Sequence, residues 1–347
     1  MQNRSPYSGG FPYSPMNWYM PPTPETPEQR EERQLRRDGN HIGFIMLAVL
    51  AGTQLTFTIV AFALCLFGVL DFRQLDEPSL GLSNTAFLLL YAGIYAFAMG
   101  VPAVVTAFAC GYRFFPLGKQ SKPLTAPNAF WGSLSGMGIC MLANLIASYI
   151  VTFFSQFGVE PPQMPDYLES TPTSFLLNVL VIAVLPALLE EMVFRGYVLR
   201  CLRVYGDGVA VVVSALLFGL MHGNILQVPF AVVVGLALGW LYVTTDNIWL
   251  PVFVHFLNNA LSLSMDYLGR YLSESKANAF MSITILAVGL VGGISLAIMA
   301  LTRSSLLKRK ASYPMLSVTK RLKILLKAPA FTISVILFLL IMVVSMV

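Results

Sequence analysis

The stretch Phe175–Leu199, FLLNVLVIAVLPALLEEMVFRGYVL, is apolar along almost its whole length, yet it carries two adjacent acids, Glu190 and Glu191, and a base, Arg195. Its length matches the ~20 residues that a helix needs to cross a bilayer. An ionised side chain at the centre of such a helix costs roughly 2.5–3.5 kcal/mol even on lenient insertion scales. The acid pair therefore marks a functional site inside a membrane span.

The rest of the chain supports a membrane reading. Of 347 residues, 56% are hydrophobic and 11% are charged, where a soluble domain carries about 25% charged residues. The net charge is +5, but the basic residues fall in short runs beside apolar segments. That pattern is the positive-inside bias of membrane loops rather than a nucleic-acid surface. Cys65, Cys110, Cys140 and Cys201 lie in or beside apolar segments without a CxxC spacing, so they read as small buried hydrophobes.

Apolar segments recur at 43–70, 86–110, 129–154, 174–200, 208–224, 227–245, 248–266, 280–302 and 329–347. They predict an all-α polytopic membrane bundle of eight or nine transmembrane helices. The short fifth to seventh segments leave room for a re-entrant piece. Arg113, Lys119 and Lys122, then Arg200 and Arg203, then the basic loop 303–327 fall on one side, and Asp71, Asp76, Glu77, Glu160, Asp166 and Glu169 on the other. This asymmetry predicts a multi-pass cell-membrane protein with a cytoplasmic N-terminus.

Four regions follow from the pattern. Residues 1–42 read as a disordered tail rich in Pro, Tyr, Ser and Gly that leads into a basic interfacial helix, with His41 as a solvated residue. Because polar sequence precedes the first apolar run, that run reads as a retained anchor rather than a cleaved signal. Residues 43–154 hold the N-terminal spans, 174–266 the chemistry-bearing core, and 280–347 the C-terminal spans. Small-residue spacings at Gly132/Gly136, Gly235/Gly239 and Gly289/Gly293 predict close helix crossings within the chain.

Within the core, Glu191 and Arg195 stand four apart on one helical face and can pair, while Glu190, about 100° away, cannot share that partner. A buried pair by itself can simply fix helix packing. Two of the three histidines also lie in apolar spans, in Phe218-Gly-Leu-Met-His222 and His255-Phe-Leu-Asn-Asn259. With a turn near Gly206, Glu190 and His222 each lie sixteen residues from it, at roughly 24 Å depth. His255 and Asn259 sit closer to their own turn at Asp246-Asn247, so a tilt or kink is needed. Pro186 can supply one by freeing the carbonyl of Ile182.

EEMVFR (190–195), FGLMH (218–222) and HFLNN (255–259) together resemble the CAAX protease and bacteriocin-processing family of intramembrane proteases, which includes the prenyl-protein endopeptidases. The resemblance covers roughly residues 174–265. It implies a glutamate-dependent intramembrane endopeptidase in which Glu190 activates a water with help from His222. It further implies that His255 and Asn259 stabilise the oxyanion and that Glu191 and Arg195, with Phe218, support the site. The substrate would be a membrane-bound, in some members lipid-modified, peptide or protein. The basic loops place the nearest opening at the cytoplasmic leaflet.

The resemblance implies metal-free chemistry without a cofactor. Two carboxylates and two histidines could also ligate zinc, although no HExxH is present. Intramembrane acids and histidines also suit a proton-coupled transporter, for which no repeated half is seen. A noncatalytic immunity or scaffold protein is the third reading, in which the tail and the 303–327 segment would engage partners or anionic lipids. The oligomeric state is left open by the sequence.

Overall fold

A computed structural model describes residues 25–75, 79–109, 123–158, 172–302, 304–307 and 314–344. Every regular element among them is helical. In chain order, α1 is Pro27–Leu66, α2 Asn84–Ala109, α3 Ala126–Ser155, α4 Ser174–Tyr205, α5 Asp207–Met221, α6 Val228–Thr245, α7 Trp249–Gly269, α8 Glu274–Leu301, α9 Val318–Leu326 and α10 Pro329–Val344. Each of the nine apolar stretches falls on a helix. By length and composition six of the described helices can cross a membrane, or seven if α9 and α10, bent by 80° from each other, count as one span. The bundle is inside out relative to a soluble protein, with Phe44, Ile59, Phe153, Ile283, Leu286 and Leu290 exposed on its flanks, as lipid-facing positions require.

α5 is the short member. Its fifteen residues extend about 22 Å at 1.5 Å per residue, less than the ~30 Å hydrocarbon thickness. The chain turns back through His222–Gln227 before α6. Gly223 there has φ +64°, and the side chain of Asn224 accepts from the Leu226 N–H at 2.8 Å. His222 is thereby fixed at the inner end of a helix rather than midway along one.

The other end of the α4–α5 hairpin turns at Gly206, whose φ of +116° is open to glycine and strained for other residues. Arg203 clamps this turn to the next. Its Nε donates to Asp207 at 2.8 Å, its guanidinium pairs with Asp246, and a third N–H reaches the Val243 carbonyl at 3.0 Å.

The basic stretch before the first apolar run continues without a break into the first span as one 40-residue helix, α1. Leu35, Asp38 and Ile42 on its inner face are buried. Asp38 accepts from the Tyr205 hydroxyl at 2.6 Å, Arg321 of α9 donates to the Tyr205 carbonyl, and Lys320 faces Glu28 and Glu32 at 3.8 and 3.6 Å. His41 is half-buried with Nδ1 enclosed, not solvated. The enclosure follows from docking on α9 and α10. Most of the tail expected to be disordered, 1–24, lies outside the described residues, as do Cys110 and 308–313 of the basic loop.

Glycine spacing explains the tight crossings, with one correction. Gly132 and Gly136 of α3 lie under Leu241, Leu250 and Val254, and Gly235 and Gly239 of α6 under Ala215, Phe218, Val211 and Leu199. On α8, however, Gly293 meets nothing within 4 Å and Gly289 makes only a loose contact with Met141. Gly292 makes the crossing instead, where a Cβ would stand 2.3 Å from the Gly138 Cα. The register is set by a neighbouring bond in which the Ser135 and Ser295 hydroxyls pair at 2.9 Å across α3 and α8.

Candidate active site

α4 carries both acids, and its backbone departs from α geometry on either side of them. π-helical stretches at Val179–Val184 and Phe194–Leu199 flank the α-helical turns Leu185–Val193. Pro186 has no N–H for the carbonyl one turn back, and Asn259 of α7 donates its Nδ2–H to that carbonyl, Ile182, at 3.3 Å. The irregularity expected from Pro186 is therefore present. It draws α7 against α4 about two turns before the acids.

Glu191 and Arg195 are both fully buried. Arg195 Nη1 donates to Glu191 Oε1 at 2.8 Å and Nη2 to the Gly235 carbonyl of α6 at 2.9 Å, while its guanidinium carbon stands 4.7 Å from the centre of the Phe218 ring. The base is neutralised, fully oriented, and turned away from the cavity. Phe218 is the hub of this shell. Its ring makes edge contacts with His222 and His255 at 5.1 and 5.8 Å and with Phe194 at 5.2 Å.

The histidines are fixed by their Nδ1 atoms. His222 Nδ1 lies 2.8 Å from the Phe218 carbonyl. A carbonyl can only accept, so the proton sits on Nδ1 and a neutral ring presents Nε2 as an acceptor. His255 Nδ1 lies 3.0 Å from Glu191 Oε1, and its Nε2 is 3.8 Å from Glu190 Oε2. With Nδ1–H committed to Glu191, His255 can donate at Nε2 only as an imidazolium.

Glu190, Phe218, His222, His255 and Asn259 line one cavity of about 930 Å³, while Glu191 and Arg195 stand behind its wall. Glu190 and His222 do not bond each other directly. The short hairpin brings them to one chamber, and the side chains turn to different partners. Asn259 Oδ1 accepts from Asn258 Nδ2 at 3.2 Å, which leaves the second Nδ2 proton of Asn259 beyond its bond to Ile182. Among the described residues no three His, Cys, Asp or Glu side chains converge as a metal-ligand set.

The cavity also has walls that the motifs did not reveal. Val49, Leu50 and Thr53 of α1, Tyr91, Tyr95 and Met99 of α2, Asn144 of α3, and Phe338 and Ile341 of α10 all contribute. The most consequential is Tyr95, whose hydroxyl donates to Glu190 Oε1 at 2.5 Å. In sequence its only signal is the i,i+4 pair Tyr91/Tyr95 within an apolar span. The lining does not run toward the basic turns as expected. It reaches Asp266 and Arg270 at the opposite end of α7, where the two side chains pair at 3.6 Å.

Residues 172–261 match the family model described as type II CAAX prenyl endopeptidase Rce1-like. The core of this chain is thus similar to the CAAX prenyl endopeptidases. The matched segment holds all seven residues singled out from the three motifs. The Bacillus subtilis (strain 168) protein YdiL, provisionally named a membrane peptidase, is 24% identical over 184 residues, which cover 48% of this chain and 72% of that protein. No solved structure matches the chain. The matched core, α4 to α7, is thus embedded among helices that lie outside the match and wall part of its cavity.

Proposed function

We propose that the protein is an intramembrane endopeptidase of the glutamate-dependent type, hydrolysing peptide bonds of membrane-associated substrates that include lipid-modified ones. The observation that carries this reading is the convergence of Glu190, His222, His255 and Asn259 on one cavity, whose volume of about 930 Å³ is that of a ligand site. Neither rival reading, transporter or scaffold, explains why two fixed proton acceptors and two N–H donors should face one chamber.

Glu190 takes a proton from a water through Oε2, assisted by the bare Nε2 of His222, and the resulting hydroxide attacks the scissile carbonyl carbon. The carbonyl π electrons move to oxygen. The oxyanion receives Nε2–H of the His255 imidazolium and the remaining Nδ2–H of Asn259, both preorganised in a water-poor site. Charge balance supports the imidazolium, since Glu190, Glu191, Arg195 and His255⁺ sum to zero and a buried cluster is costly with net charge. Collapse of the intermediate breaks the C–N bond, and the leaving amine takes back the proton from Glu190.

The test is Glu190→Gln in purified protein against a peptide library presented in proteoliposomes. Cleavage should fall to background with the fold unchanged by thermal melting. Wild-type turnover in that variant would exclude Glu190 as the base.

A further inference from the structure

We infer that Tyr95, on a helix outside the family-matched segment, is a positioning residue that aims the carboxylate of Glu190; this rests on Glu190 being the base. The Tyr95 hydroxyl donates to Glu190 Oε1 at 2.5 Å, at the short end of the range for an O–H bonded to a charged acceptor. Donation from Oε1 back to Tyr95 would require a protonated acid. As drawn, the bond pins one oxygen and leaves the other, Oε2, facing His255 Nε2 at 3.8 Å.

Two consequences follow for the proton. With Oε1 already accepting from Tyr95, the proton removed from water enters on Oε2, the oxygen on the side of the oxyanion donors. After transfer, Oε1 is the carbonyl oxygen of a neutral acid and still accepts from the same hydroxyl, so the bond persists through the step and nothing needs to reorient. Without Tyr95, the Glu190 side chain can rotate, and either oxygen can take the proton.

Tyr95 is itself held. Its ring stacks on Tyr91 with centroids 6.1 Å apart and planes 17° apart, and Tyr91 stacks in turn on Phe87 at 6.4 Å and 20°. α2 is seated against α1, where a Cβ on Gly52 would approach the Ala98 carbonyl oxygen to 2.8 Å. The groups around the Glu190 carboxylate are then Tyr95 and Tyr91 from α2, Glu191 and Arg195 from its own helix, His222 from the α5–α6 turn, and His255 and Asn259 from α7. Within this set, among the described residues, it is Tyr95 that hydrogen-bonds Glu190.

The experiment compares Tyr95→Phe with Tyr149→Phe, a loss of the same hydroxyl from an exposed position on α3, and with Glu190→Gln. Tyr95→Phe should lower kcat by about 10- to 100-fold with KM within about twofold, and Tyr149→Phe should match wild type. If Glu190→Gln is inactive but Tyr95→Phe keeps wild-type kcat, or raises KM as much as it lowers kcat, Tyr95 does not position the base. If Glu190→Gln is active, the base assignment fails and this inference with it. Should Tyr95→Phe fold poorly, the double variant Tyr95→Phe/Glu190→Gln decides. A higher melting temperature than Tyr95→Phe alone supports a direct bond to the charged carboxylate, and no recovery overturns it.

Discussion

Asn259 on α7 donates to the carbonyl of Ile182 on α4 at 3.3 Å, occupying the place of the N–H that Pro186 cannot supply. A proline thus creates the acceptor, and a side chain from another helix fills it. Pro186→Ala should return an in-helix donor to Ile182 and loosen Asn259. The expected result is unchanged or higher thermal stability together with cleavage lowered about 10-fold or more, since small displacements of a reacting-site group are costly. Lower stability with full activity would show that the Asn259 bond does not depend on the proline.

The Glu191–Arg195 pair is predicted to matter through burial. Arg195→Met strands a fully buried carboxylate and should cost about 3–5 kcal/mol, read as a loss of melting temperature in detergent. Glu191→Gln combined with Arg195→Met should recover much of that loss, because no unpaired charge remains. Arg195→Lys should fall between wild type and Arg195→Met, since an ammonium lacks the fork that reaches both Glu191 Oε1 and the Gly235 carbonyl. Equal stability of all three variants would refute the assignment.

Adjacent glycines of α8 should respond in opposite ways. Gly292→Ala drives a methyl to 2.3 Å from the Gly138 Cα, an overpacking that costs about 1–3 kcal/mol. Gly293→Ala meets open space and should be neutral or slightly stabilising. Melting temperatures of the two variants check this directly, and a dimer contact at Gly293 would show itself by reversing the order.

Metal dependence is tested without mutation. Glu191 Oε1 is already engaged by Arg195 and His255 Nδ1, so that acid and that nitrogen are committed to protein partners. Activity should survive dialysis against a strong chelator and show no stoichiometric zinc by elemental analysis. Loss of cleavage restored by zinc would replace the water-activation step with metal chemistry.

Some of the site was legible because its signals are local. An acid pair in hydrocarbon is anomalous wherever it occurs, and i,i+4 spacing places Glu191 beside Arg195 in any helix. Turn residues identified the hairpin at Gly206 and the turn at Asp246. The proline-freed carbonyl of Ile182 was also readable, because backbone donors can be counted along the chain.

What fills that carbonyl was not readable, nor was the bond from Tyr95 to Glu190. The α8 register was also misplaced by one residue, and the cavity lining reaches Asp266 and Arg270 instead of the basic turns. These are long-range outcomes, and their chemistry is carried by residue types that are ordinary within a span. A tyrosine on α2 has no marked periodicity or charge to distinguish it from core.

The amino-acid sequence by itself determined that this is an all-helical, multi-pass membrane protein with a core similar to the CAAX proteases and named its acids and histidines, because hydropathy and helical period act within a segment. The tertiary structure alone decided how Glu190 is held and which nitrogen each histidine presents. It also decided which outer helices close the cavity. Those properties depend on side-chain donors meeting acceptors across helices far apart in the chain, and their geometry exists only after packing.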